Sequence, residues 1–441
     1  MTSSFVDPWW LMILKVVVLF VILLTWTIFN VWYERRVLGK MQQRKGPIMN
    51  GPFGLGQALG DGAKLILKED FRPKGADKWV FNLAPLLTGM AAFTAWTVIP
   101  FGGEVTMFGH TTRLQVTDLP VAVLFILAIA SIGIYGIVLA GWASSNTYSF
   151  LGGIRSSAQM ISYEIAMGLA IVGVFILSGS MATSQIVEAQ REHITFTLPF
   201  TDNVYDVGLM GWYFLLLFPS FVIYGISMVG ETNRAPFDLP ECESELVGGF
   251  MTEYSGFRYA MFFLAEYINM ATVSAVMVTL FLGGYLPFWP LNNIEFFNNP
   301  WLGPIFFLIK TQLVFTLFMW LRGSLPRYRY DQFMDLGWKQ LIPISLVWIM
   351  MIAVFPAYTL PLSLVLLIGL LISSMRKDQR KERELAAIRA AQERERSEPF
   401  DPFAGGYPVP PRPGQTLPEM AGVVTGTSEE SDTVSIEEED N

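Results

Sequence analysis

The chain has 441 residues, of which 52% are hydrophobic, 14% aromatic and only 15% charged, a balance that excludes a water-soluble fold of this size and points to a membrane. Its single cysteine, Cys242, excludes an internal disulfide and the thiolate sets of iron-sulfur clusters or structural zinc, and its two histidines, His110 and His193, sit in polar connectors unsuited to a bis-histidine haem. The formal net charge of -8 is local, because residues 397–441 hold ten carboxylates against Arg412 and the remainder is close to neutral.

A membrane-crossing helix needs about 20 largely apolar residues. Such stretches are predicted at 9–33, 79–99, 119–142, 157–178, 208–229, 259–282 and 300–321. The first has no basic segment before it and no small-residue cleavage site after it, so it reads as a retained span. Residues 341–375 are too long for one span and are interrupted by Phe355-Pro356-Ala357 and Pro361, which divides them into 341–357 and 359–375. The expected fold is therefore an all-α polytopic membrane protein of nine spans, the ninth short.

Lysine and arginine set the orientation. Residues 34–78 carry ten of them and residues 322–339 carry four, whereas the opposite connectors, 101–117, 180–206 and 283–300, carry only Arg113 and Arg191. This predicts the N-terminus outside and the basic loops in the cytoplasm. Nine spans also bring Arg376, Lys377, Arg380, Lys381 and Arg383 inside, where eight would leave them outside. Beyond the membrane, residues 376–396 alternate charge signs among good helix formers and read as a solvated cytoplasmic helix. The acidic tail, 397–441, reads as disordered.

Four groups of residues could carry chemistry. After Gly51-Pro52, the residues Gln57, Asp61, Lys64 and Lys68 recur at helical spacing while Leu55, Ala58, Leu59, Ala63 and Ile66 line another side, so a helix is predicted along the membrane surface. On spacing alone, binding of lipid headgroups is its simplest role.

The segment 231–256 puts six carboxylates and Arg234 into one cytoplasmic loop, interleaved with Phe237, Leu239, Leu246, Val247 and Phe250. Those apolar residues imply that the loop folds back and buries some of its acids. If 238–246 is helical, Asp238, Glu241 and Glu245 share a face, where like charges repel, raise one another's pKa and share protons. A solvated acidic loop that docks a basic partner is the plainer alternative.

Charges also occur inside spans, where they are costly. Glu164 and Glu266 lie within two turns of the cytoplasmic ends, Lys15 lies near the outer end and is expected to snorkel outward, and Lys310 is mid-span with no partner named by the sequence. Finally, the basic and aromatic loop 321–334 precedes the eighth span. There is no Walker loop, dinucleotide fingerprint, nucleophile elbow or zinc-type histidine pair, so no self-contained active site is expected in this chain.

The stretches ERRVLGKMQQRKGP, GPFGLGQALGDGAKLILKED, ETNRAPFDLPECESELVGGFMTEYSG, FFLAEYIN and LRGSLPRYRYDQFMDLGWK occur in that order and at intervals that resemble one family: the quinone-site membrane subunit of respiratory complex I, the H subunit of NADH-quinone oxidoreductase. The resemblance covers about residues 5–357. It implies a bacterial plasma-membrane subunit that joins the peripheral redox arm to the proton-pumping membrane arm and uses a quinone, ubiquinone or menaquinone, as substrate.

Its partners would be the peripheral-arm quinone-site and iron-sulfur subunits, together with small and antiporter-like membrane-arm subunits and lipid, with FMN and the iron-sulfur clusters held on partner subunits; nucleic acid has no place in it. Carried over residue by residue, the resemblance puts the quinone tunnel and its entrance on Arg35, Arg36, Asp61, Lys64, Phe237, Arg322 and Arg327. It puts the proton path on Glu34, Glu164, Glu231, Asp238, Glu241, Glu243, Glu245 and Glu266, with no metal site.

Three positions depart from the family's usual pattern: Ile48, Gly56 and Cys242. A larger departure begins near residue 357, where the family commonly ends, so the ninth span and the tail inherit no role. Rival readings are the membrane anchor of a related proton-pumping hydrogenase, a cation or solute transporter working through Lys310 and the intramembrane glutamates, and a structural scaffold.

Overall fold

A computed structural model describes residues 7–197, 204–238, 246–288, 291, 294–356, 359–363 and 365–366. The chain divides into two units, 1–367 and 368–441, and the second lies wholly outside the described residues. The predicted helix at 376–396, the acidic tail and most of the ninth span therefore lie outside them too, although residues 359–363 and 365–366 are helical.

The first helix, α1 (Trp9–Met41), runs 33 residues and carries Glu34, Arg35 and Arg36 within it, beyond the predicted limit of 33. The helix α2 (Gly56–Leu67) follows a turn at Pro52–Gly54. Ala58 is buried against the body while Leu59, Ile66 and Leu67 are exposed, as a helix lying in the membrane surface requires. Next comes α3 (Lys78–Ala95), started by Asp77, whose carboxylate accepts from the amides of Trp79 and Val80.

An antiparallel hairpin, β1 (Glu104–Met107) and β2 (His110–Arg113), joins α3 to α4 (Ala122–Ala143). Asn146 caps α5 (Thr147–Ser178), which ends at Gly179 in the left-handed conformation, the usual helix stop. The short α6 (Thr183–Ala189) leads to a second hairpin, β3 (His193–Thr197) with β4 (Val204–Met210).

Where one span was predicted at 208–229, the structure has β4 up to Met210, the single turn α7 (Tyr213–Leu216), and then α8 (Phe218–Glu231). The helix breaks at Leu217, whose ψ of 42° is not helical, and Pro219 starts the new one from a first-turn position where its missing amide costs nothing. Hydropathy alone does not see that break. The helices α9 (Gly256–Phe281) and α10 (Gly303–Ser324) follow as predicted. The last described span joins α11 (Tyr330–Asp335) through a π-helical turn at Leu336–Leu341 to α12 (Ile342–Val354).

Among the described residues, seven helical stretches are long and apolar enough to cross a membrane, and α7 and α8, parted at Leu217, are each too short to be one of them. The chain is an all-α polytopic membrane protein with two small hairpins at the end opposite its basic loops.

In a bilayer, helices associate by close packing rather than by exclusion of water, so small residues mark the tightest crossings. A Cβ on Gly136 of α4 would overlap the Thr88 hydroxyl and lie 2.9 Å from the carbonyl oxygen of Ala84, and one on Gly152 of α5 would lie 2.7 Å from the Cα of Gly249. The second crossing seats α5 directly on the turn that ends the acidic loop.

Two lysines within spans have defined partners. Lys15 reaches outward as expected, but into an ion pair: it pairs with Asp7 at 2.5 Å and donates to the Thr112 hydroxyl and the carbonyls of Arg113 and Gln115, tying α1 to β2. Lys310 is two turns into α10 and only 2% exposed, and among the described residues no acid pairs with it. Its ammonium donates to the carbonyls of Leu282, Gly284 and Leu286 at 2.6, 3.2 and 2.7 Å and sits 4.3 Å from the Trp212 ring centroid. These carbonyls belong to the turn after α9, where helix-end oxygens lack intrahelical donors.

Candidate functional site

At the end of the bundle that carries the basic loops, residues from four separate segments meet in a buried ion cluster. Glu34 of α1 is 5% exposed and accepts short hydrogen bonds from Arg322, in the last turn of α10, and from the Tyr267 hydroxyl of α9. Arg234 stands between two acids, its Nη1 3.5 Å from Glu34 and its Nε 2.7 Å from Glu266, with the guanidinium 4.7 Å from the Tyr267 ring centroid. Two carboxylates thus share one buried arginine, the arrangement that lets burial of the acids be tolerated.

The turn carrying Arg234 is pinned from α5. Gln159, fully buried, donates its side-chain amide to the carbonyls of Gly230 and Phe237, both at 2.9 Å, while Asn233 donates to Ser156 at 2.7 Å. Phe237 then inserts into an aromatic group made by Tyr163, Tyr328 and Phe333, with ring centroids 6.0, 5.5 and 4.5 Å away. Beside it, buried Asp238 lies 3.4 Å from Arg327.

A second group forms where α1 meets α2. Arg35 pairs with Asp61 at 2.5 Å, Gln57 donates to the same carboxylate at 3.0 Å, and Arg36 lies between the rings of Trp32 and Phe53 at 5.3 and 5.5 Å. The pair is about half exposed, so its strength is small compared with that of the buried cluster. Lys64 stands exposed one turn further along α2.

Glu231, the last residue of α8, is 6% exposed, and its Oε2 has no hydrogen-bond partner among the described residues. It lines a cavity of about 40 Å³ together with Thr88, Thr232, Asn233, Glu266 and Asn269, so Glu266 and Glu231 face the same small space. A void of that size with several polar walls suits one or two waters. Glu164 of α5 lies nearby in the same half of the bundle and accepts a short hydrogen bond from Ser131 of α4.

The predicted residues thus separate into distinct places. Glu34, Glu266 and Arg322 come together; Arg35, Arg36 and Asp61 form the surface group; Phe237, Asp238 and Arg327 form the aromatic one; Glu231 shares the cavity. Glu241, Glu243 and Glu245, with the helix expected over 238–246, lie outside the described residues. Sequence reasoning missed Tyr267, Gln159 and Asn269, and counted Arg234 only as one base among the acids of its loop. The signal for Tyr267 and Asn269 was present in FFLAEYIN, where a phenol and an amide flank an intramembrane acid at one and three residues.

The family model described as NADH dehydrogenase matches residues 14–353. The H subunit of NADH-quinone oxidoreductase from Cutibacterium acnes is 58% identical over 436 residues, covering 96% of this chain and 96% of the relative. The protein of the same name from Streptomyces avermitilis is 51% identical and covers 94% of this chain and 89% of its own length. That from Frankia alni is 54% identical over 352 residues, with coverage of 80% and 74%.

The chain belongs to the H-subunit family of NADH-quinone oxidoreductase.

It is a membrane subunit of complex I. Coverage of 96% and 94% runs past residue 357, so these two relatives align with the C-terminal extension, whereas the family model ends at residue 353, near where the family is expected to end commonly. Among the described residues of this complex I subunit, no three His, Cys, Asp or Glu side chains stand close enough to hold a metal.

Proposed function

We propose that this chain forms one wall of a quinone site and converts the charge change of quinone reduction into proton movement through its buried carboxylates. The observation that carries the reading is Arg234, which bridges Glu34 and Glu266, with Glu266 facing on into the cavity that also holds Glu231. Acids tied to one another through a shared cation respond together when charge appears nearby, because Coulomb interactions are strong where water is excluded. A surface carboxylate screened by solvent lacks that property.

The rest of the predicted set extends this core at both ends. The exposed apolar side of α2 would lie in lipid and guide a hydrophobic quinone past Arg35, Arg36, Asp61 and Lys64 towards Phe237, Arg322 and Arg327. Asp238, Glu241, Glu243 and Glu245 would receive the charge change from the headgroup, and Glu34, Glu266, Glu231 and Glu164 would carry protons into the membrane plane. Reduction of a quinone to a quinol takes two electrons and two protons. The electrons come from clusters on the peripheral-arm subunits, and this chain supplies only acids, arginines and aromatic surface.

In this reading the basic loops and the C-terminal extension, with residues 358–375 as a ninth span, 376–396 as a charged helix and 397–441 as a tail, face the cytoplasm. The protein then sits in the bacterial plasma membrane with its N-terminus outside and contacts the small and antiporter-like membrane-arm subunits. A carrier role is disfavoured because Lys15 and Lys310 are both held by carbonyls of the chain itself.

Replacing Glu266→Gln in the intact complex tests the proposal. NADH oxidation by an artificial water-soluble acceptor, which reports the peripheral arm, should persist, while quinone reduction and proton uptake into vesicles should fall together. Full quinone turnover with full proton stoichiometry in Glu266→Gln, and in Glu241→Gln, would overturn it.

A further inference from the structure

A second cavity, of about 50 Å³, begins where the first does and runs towards the outer face. It shares Thr88, Ile137, Met160, Glu231, Thr232 and Asn269 with the first and reaches Ala95, Val123, Ile126 and Val276. On α3 its lining recurs as Thr88, Ala91 and Ala95, and on α9 as Asn269, Thr272 and Val276. Each set is seven residues deep along one helix face, or about 10 Å. Its walls change character along that length. The inner end has a carboxylate, two threonines and an amide; further along, the hydroxyls of Thr272 and Tyr224 are turned to the backbone carbonyls of Ile268 and Val273, and the outer end is alanine, valine and isoleucine.

On the outer face lies a third, larger cavity of about 470 Å³, with a polar wall that includes Arg113, Gln115, Ser184, Glu188 and Arg191. Gln115 forms part of its floor and donates to the carbonyl of Val98 at 2.8 Å, which Thr183 also meets at 2.7 Å. Ala95, at the head of the inner cavity, and Val98, beneath the outer one, are three residues apart, or roughly 5 Å. What separates them is Trp96, Val98, Ala122 and Val123, all 1% exposed or less, whose side chains are apolar apart from the Trp96 indole N–H, which has no hydrogen-bond partner among the described residues.

We propose that this layer is a proton-insulating septum, which closes a route from Glu231 directly to the outer face and so forces protons to move sideways through the carboxylate chain. The physical basis is that water does not wet a small apolar void, and without a water chain a proton has no carrier across it. The inner cavity stops at apolar side chains one turn short of an open polar vestibule. This inference rests on the reading of Glu231 as a proton carrier.

The test adds polarity without changing shape. Valine and threonine are both β-branched and of similar shape, differing by a hydroxyl, and α9 already accommodates threonines whose hydroxyls bond to their own helix, Thr272 to the carbonyl of Ile268 and Thr279 to that of Ala275. Assembled complexes carrying V123T, V276T, both together, or V123A/V276A as an apolar control of larger volume are reconstituted into vesicles, and the decay of an imposed pH gradient is followed without NADH.

The expected result is faster decay in V123T/V276T, a smaller effect in each single variant, none in V123A/V276A, and abolition of the leak when E231Q is added. During turnover, the leaky complex should lose the stimulation of NADH oxidation by a protonophore. Unchanged decay in all the threonine variants would overturn the septum, as would a leak in the alanine control or one that survives E231Q. Because the leak is read without turnover, loss of pumping in E231Q alone combined with tight threonine variants would refute the septum while leaving the role of Glu231 standing.

Discussion

Replacing Arg234→Met removes the cation shared by Glu34 and Glu266 while keeping a long apolar side chain in its place. The side chains of Arg234, Glu34 and Glu266 are only 12%, 7% and 17% exposed, so solvent screens the loss poorly. Breaking a buried pair by removing one partner costs about 3–5 kcal/mol, and Glu34 keeps Arg322 and Tyr267, which puts the expected cost near the lower figure of ~3 kcal/mol. If that cost falls on the barrier to irreversible inactivation, the half-life of the assembled complex at a fixed temperature shortens by up to about 10²-fold.

The carboxylate that loses its 2.7 Å cation is Glu266. Adding Glu266→Gln should therefore restore part of the loss, with a coupling of roughly 0.5–3 kcal/mol in the double-mutant cycle. The assay is residual NADH-quinone reductase activity after timed heating, normalised to assembled complex. A wild-type half-life in Arg234→Met, or a double variant no better than the single one, would refute the shared-cation reasoning.

Three further outcomes follow from the same geometry. Asp61→Asn breaks a pair that is about half exposed, so it should cost at most about 1 kcal/mol and leave assembly intact; a loss of assembled complex would contradict the surface placement of Arg35 and Asp61. Lys310→Met leaves three carbonyls without their donor, each costing about 1–3 kcal/mol if no water replaces it, and should lower the amount of assembled complex on native gels while turnover per complex stays unchanged. Gly152→Ala drives a methyl to 2.7 Å from the backbone of Gly249, and should cost about 1–3 kcal/mol by overpacking, seen as earlier thermal inactivation; wild-type stability would refute the close crossing.

Much of the fold was legible because membrane spans are long and bilayer thickness selects their length. The surface helix was legible from its two-sided pattern, and α2 exposes Leu59 and Ile66 while burying Ala58. The break at Leu217 was missed because the residues on both sides are apolar and only Pro219 marks it, whereas a hydropathy window averages across it. The partners of Lys310 were not legible for another reason: they are backbone carbonyls, which every residue has, so no residue type announces them.

The site divides in the same way. Individual acids were readable, since charge in a span is expensive and stands out. Their grouping was not, because Glu34, Arg234, Glu266 and Arg322 come from segments far apart in the chain and meet only through helix packing. Arg234 seemed to be one base among six acids, and its place between two specific carboxylates depends on the turn that Gln159 and Asn233 hold against α5.

The most direct measurement of the central claim is the number of protons moved per electron by the Glu231→Gln complex in sealed vesicles, taken at a matched rate of quinone reduction. Quinone reduction should slow and the ratio should drop, because a neutral amide in the cavity shared with Glu266 cannot take up and release a proton. An unchanged ratio at a wild-type rate would contradict it.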